Sequence, residues 1–92
     1  MPQTIITVGD KTDHGGTVIS GSPTHHIRGR AIARIGDQVD CPQSYPGGKP
    51  HGLNKITTGH SSLTVNGVPV AVEGCTTACG CRLIGSLPAT VG

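Results

Sequence analysis

The chain has 92 residues, no Phe or Trp, one Tyr, one Met and a formal net charge of +2. That length supports one domain, and core candidates limited mostly to Val, Ile, Leu and Ala bury too little apolar area to offset the entropy of ordering the chain without a staple. Scattered Lys and Arg lack the concentrated positive field that a phosphate backbone requires, and no apolar run nears the ~20 residues that cross a bilayer, so neither nucleic acid nor a membrane anchor is expected.

From the start of the chain, Met1 to Ile6 lacks the basic segment and long apolar stretch of a secretory signal, so the protein is expected to be made in the cytoplasm. In that reducing compartment, four Cys and five His read as metal donors before they read as disulfides. Fifteen Gly and seven Pro interrupt every window long enough for a helical apolar stripe, so the fold class is all-β. The first landmark is Gly9-Asp10, with His14 four positions beyond Asp10. A hairpin is predicted over His25 to Arg34 around Arg28-Gly29; its two adjacent histidines, His25 and His26, point to opposite faces of a strand. Gly36-Asp37 and Cys41 then repeat the spacing of Gly9-Asp10 and His14.

Pro42 to Gly52 is too rich in Pro and Gly for a strand and reads as a loop that brings in His51 near its end. His60, beside Ser61 and Ser62, is expected to face solvent. No carboxylate is evident to orient a His and Ser pair as a nucleophile, and the Gly-rich turns lack the Gly-Lys-Ser/Thr ending that holds phosphate, so no enzyme is expected. A second hairpin over Leu63 to Val72 is centred on Asn66-Gly67, the strongest short-range signal for a type I′ turn, with Pro69 confined to an edge or a gap in the ladder.

Placing Gly29 over Gly67 sets Gly21 over Gly59, Gly36 over Gly74, Asp37 over Cys75 and Cys41 over Cys79. With Gly9-Asp10 over Gly36-Asp37, and with Leu83 to Leu87 resembling Val18 to Ser22, three pseudo-repeats emerge, the outer two partial. Asp10 and Asp37 sit at repeat corners, where Asp commonly caps a turn, and are not read as an acid-base pair. His14, Cys41 and Cys79 fall in one slot of successive repeats. Together with His51 they make four imidazole or thiolate donors, which suit a closed tetrahedral structural zinc site. Cys75 and Cys81 are alternatives to Cys79 for the remaining place, and iron is an alternative to zinc.

These residues carry a resemblance. Ile6 to Gly16, Ala33 to Asp37 with Cys41-Pro42, Val65 to Ala71 and Cys79-Gly80 resemble, in order, the phrases of the PAAR-repeat proteins, over about Val8 to Leu87. The motif slots themselves, Ala31-Ile-Ala-Arg34 and Val70-Ala-Val-Glu73, are degenerate. The resemblance implies a single small cone-shaped domain, residues 1–92, built of short β-hairpins with a zinc near the apex and no effector extension. It implies a spike-tip protein that caps and sharpens the VgrG trimer of a type VI secretion, or contractile injection, machine. One such monomer would sit on each trimer, help pierce the target envelope, recruit separate effectors, and leave the cell through that machine. Family zinc sites are often three His and one Cys, whereas the set here has two of each. A phage tail-spike tip, or a small cytoplasmic zinc-binding adaptor, is the alternative that shares this fold.

Overall fold

The computed structural model describes residues 3–13, 15–44, 47, 50–78, 80–86 and 90–91, with the backbone alone at 42–44, 50, 51 and 91. Among these residues there is no helix. The strands are β1 (Gln3–Thr4), β2 (Lys11–Thr12), β3 (Thr17–Val18), β4 (His26–Ile27), β5 (Arg30–Ala31), β6 (Gln38–Ser44), β7 (Pro50–Lys55), β8 (Thr64–Val65), β9 (Val68–Pro69), β10 (Leu83–Ile84) and β11 (Thr90–Val91). Most are two residues long.

The organising feature lies between the named strands. Ile6 N–H donates to the Ala71 carbonyl at 3.0 Å, Ala33 to Ile6 at 2.9 Å, and Ala71 to Ala33 at 2.9 Å. Three segments of one chain are thus bonded head to tail around a closed triangle, and isolated bridges Ile5–Val72, Thr7–Ile32 and Arg34–Val70 flank it in the same cyclic order. Closing the triangle leaves these three segments no exposed edge to pair with another chain. All three central residues are fully buried, and two of them are Ala, so the middle is narrow.

Each segment then ends at a corner. Gly9, Gly36 and Gly74 have φ of +94°, +92° and +93°, a region that L side chains avoid. Their N–H groups donate to the carbonyls of Val18, Ile56 and Leu83 at 2.8, 2.9 and 3.0 Å. Those three acceptor residues are buried together and pair across strands with Val39, Thr77 and Thr12, which are also buried. The core is therefore built on two triads of Val, Ile, Leu or Ala with a third triad of Val and Thr, joined by Val72 and Cys75. The three pseudo-repeats read from the sequence are the three sectors of this arrangement.

Before each central segment stands a two-stranded unit. β4 pairs with β5, and β8 with β9, through turns in which Arg28, Gly29, Asn66 and Gly67 have φ of +51°, +78°, +53° and +81°. Both central residues of each turn are positive, as type I′ geometry requires. The third sector makes its equivalent from the two ends of the chain, β1 against β11. Close approach marks the same place in all three: a Cβ on Gly21 would meet Ala31, on Gly59 would meet Pro69, and on Gly85 would meet Thr4.

The stretch from Pro42 to Gly52 corrects the expectation of a loop. β6 and β7 run into it from both sides as an antiparallel arm in which Cys41 faces Gly52 and Ser44 faces Pro50, with a register shift between Cys41 and Ser44. Pro50 is the first residue of its strand and Pro42 lies at that irregularity, the two places where a residue without an N–H is tolerated in a ladder. The molecule measures 39 × 27 × 22 Å.

Candidate metal centre

Past the corners, the chain brings together the segments that carry the expected donors. Cys41 lies in β6 and is 1 % exposed, and Cys81 is 0 % exposed. Their Sγ atoms stand 3.3 Å apart without a disulfide between them. Gly16 allows this convergence: a Cβ there would come within 2.6 Å of the Asp40 carbonyl oxygen and 3.4 Å of the Cys41 Cα. The turn that precedes it is closed by the Gly15 N–H to the Thr12 carbonyl at 3.2 Å, and by the Gly16 N–H to the Thr12 hydroxyl at 2.9 Å.

The same turn is tied to the segment of Cys81. Asp13 N–H donates to the Arg82 carbonyl at 3.0 Å, and Arg82 N–H donates to the Asp13 carboxylate at 2.9 Å. Thr77 N–H donates to the Cys81 carbonyl at 3.0 Å, and Gly80 N–H to the Thr77 carbonyl at 2.9 Å. Gly52, next in the chain after His51, pairs with Cys41. Chain neighbours of His14, His51 and Cys79 therefore border the two thiols. His14 and Cys79 themselves lie outside the described residues, as does the side chain of His51.

Among the described residues, no cluster of three or more His, Cys, Asp or Glu is placed to hold a metal. The donor chemistry at Cys41 and Cys81 nevertheless fits one. Two soft sulfur donors, buried side by side, would supply half of a tetrahedral set, and a divalent cation would stabilise a thiolate in such a place. Cys75 stands elsewhere. Its N–H donates to the Val72 carbonyl at 3.0 Å, the bond that Asp10 makes to Thr7 and Asp37 to Arg34 at the other corners, and its side chain packs into the apolar core. The signal that separates Cys81 from Cys75 in the sequence is weak, since Cys81 has no counterpart in the repeat alignment.

The remaining polar residues singled out in the sequence have structural work. Asp10 Oδ2 accepts the Thr7 N–H at 2.9 Å, and Asp37 Oδ2 accepts the Arg34 N–H at 2.7 Å, so both close their turns as expected. His60 departs from its expected solvated role: it is half-buried, and its Nδ1 accepts the N–H groups of Ser62 and Leu63 at 3.1 and 2.9 Å. Two donors at Nδ1 leave the ring proton on Nε2. His25 and His26 are exposed. No helix among the described residues is long and apolar enough to cross a membrane.

Compared with models of known protein families, the chain matches the PAAR motif over residues 8–85. Among curated proteins none matches it.

Proposed function

This chain belongs to the PAAR-motif family, and on that premise we propose that it caps and sharpens a VgrG-type trimeric spike of a contractile injection machine. The observation that carries the proposal is the closed triangle of Ile6, Ala33 and Ala71. A monomer can seat on a threefold partner only if it offers three alike faces, and the cyclic bonding gives one chain three sectors built to the same plan. The units that precede the triangle, β4–β5, β8–β9 and β1–β11, end in short strands, and such strands can continue a partner's ladders by β-augmentation. The role is mechanical rather than catalytic. The protein is made in the cytoplasm, travels out on the spike, and accompanies it into the target, with separate effectors as cargo.

In this reading a structural zinc, or iron in its place, staples a fold whose core is small. Cys41, His14 and His51 hold it, with the remaining place taken by Cys79 or Cys81; the 3.3 Å contact between Cys41 and Cys81 favours Cys81. The ion supplies a cross-link between strands distant in the chain, and its binding free energy becomes folding free energy.

The test is co-expression with the trimeric spike protein, followed by size-exclusion chromatography with mass measurement. One chain per trimer is the expected stoichiometry. Failure to co-elute with any spike trimer, by a folded and metal-loaded protein, would overturn the capping role.

A further inference from the structure

The three corners are alike in backbone but not in what surrounds them. At the first, Arg30 reaches over from β5: its Nε donates to the Val8 carbonyl at 2.8 Å, and a terminal nitrogen donates to Asp10 Oδ1 at 2.8 Å. The other terminal nitrogen donates to the Ser86 hydroxyl at 3.2 Å. A Cβ on Gly9 would lie 3.0 Å from that guanidinium. One fork thus satisfies a carbonyl, a carboxylate and a hydroxyl together.

Arg30 stands three positions ahead of Ala33, and the same position ahead of Ile6 is Gln3. By the cyclic order of the triangle, Gln3 is the residue that serves the third corner, where Glu73 replaces Val8 and Cys75 replaces Asp10. Among the described residues no guanidinium fills that corner: nothing lies within 4 Å of a Cβ on Gly74, as is also true of Gly36 at the second corner. Instead a cavity of about 410 Å³ opens there, with Gln3, Thr58, His60, Glu73, Gly74 and Cys75 in its walls. The Gly85 N–H holds Glu73 Oε1 at 3.0 Å and so fixes the carboxylate at this site. Among the described residues no Lys or Arg lines it. The volume lies at the small end for ligand sites, which run from roughly 300 to 1,000 Å³, and has room for one long side chain.

We propose that this cavity receives the guanidinium of an arginine presented by a partner protein, which enters as Arg30 enters the pseudo-symmetric corner. Arginine is favoured over lysine because a planar fork can engage the Glu73 carboxylate and a corner carbonyl at once, whereas an ammonium acts as a point charge. The proposal is independent of spike capping, since it concerns a single corner whose walls are Gln3, residues 58–61 and residues 72–75.

Two experiments decide it, both on the full chain. In the first, N-acetyl-arginine amide is titrated into nitrogen-15-labelled protein, with N-acetyl-lysine amide as the comparison. Saturable shifts at Glu73, Gly74 and Gly85, weakened several-fold with the lysine probe and lost in Glu73→Gln and in Gln3→Arg, are expected. Absence of saturable shifts, or shifts unchanged by both substitutions, overturns the proposal. In the second, Gln3→Arg is expected to raise the melting temperature by filling the cavity from within, and that gain is expected to vanish in the Gln3→Arg, Glu73→Gln double variant. A fall in melting temperature, or a gain that does not depend on Glu73, overturns the proposal as well.

Discussion

Gly16 illustrates how much a single missing Cβ can decide. Its φ is not left-handed, so backbone conformation does not call for glycine; the demand comes from the Asp40 carbonyl 2.6 Å from where a Cβ would sit. That atom belongs to β6 and cannot swing aside like a side chain. Gly16→Ala is therefore expected to cost about 3 kcal/mol, the upper end of overpacking penalties, and to lower metal content by shifting Cys41; urea denaturation and metal analysis check both. Asp10 makes a different demand. Its carboxylate is 0 % exposed and bonded to the Thr7 N–H, the Arg30 guanidinium and the Ser86 hydroxyl. Asp10→Ala is expected to cost about 3 kcal/mol, the low end for a broken buried pair, because Arg30 keeps 32 % of its side chain in water. The same change made on an Arg30→Gln background should cost less, and a double-mutant cycle by urea denaturation measures that coupling.

Among the elements, hairpins were the most legible. Asn66-Gly67 and Arg28-Gly29 announce positive φ at two successive residues, and the turns have it. Gly67→Ala is expected to destabilise by about 1 kcal/mol through αL strain alone, since nothing lies within 4 Å of the added carbon; the urea midpoint should fall without a change in slope. The corners were legible for the same reason, as Gly followed by Asp or Cys at a repeated spacing. The β6–β7 arm was not: Pro and Gly disfavour strands locally, and the ladder set up by the cross-strand pairs from Gln38–Lys55 to Cys41–Gly52 resumes past Pro42 at Ser44–Pro50. The pairing of β1 with β11 was equally hidden, because it joins opposite ends of the chain. Of the candidate site, the slot of Cys41 could be read from the repeat, whereas its neighbour Cys81 could not, being brought there by the β2–β10 pairing and the Asp13–Arg82 contacts. The cavity at Gly74 left no local signature, since it exists by the contrast between Gln3 and Arg30.

On the scale of the molecule, the cyclic bonding and the small core set opposing requirements. A closed triangle of three segments is geometrically narrow, and its centre accommodates two Ala and one Ile, so apolar burial there cannot grow without breaking the symmetry that suits a threefold partner. Stability must then come from outside the triangle, and besides the two outer triads the sectors are drawn together around Cys41 and Cys81. A metal bound there would act on the whole fold rather than on one strand, because Cys41 and Cys81 lie 40 residues apart in the chain. Removing it with a tight chelator is expected to lower the melting temperature strongly and in one cooperative step, with recovery on adding zinc, as for small domains whose metal affinity is folding energy. Cys41→Ser should reproduce the chelated state. Cys81→Ser should do so as well if Cys81 holds the ion, with Cys79→Ser then retaining metal, and metal content measured on the purified variants separates the two thiols. A chelated protein that melts unchanged would mean that the two buried sulfurs pack without a metal, and that the threefold scaffold is stable on hydrogen bonds and its Val, Ile, Leu and Ala core alone.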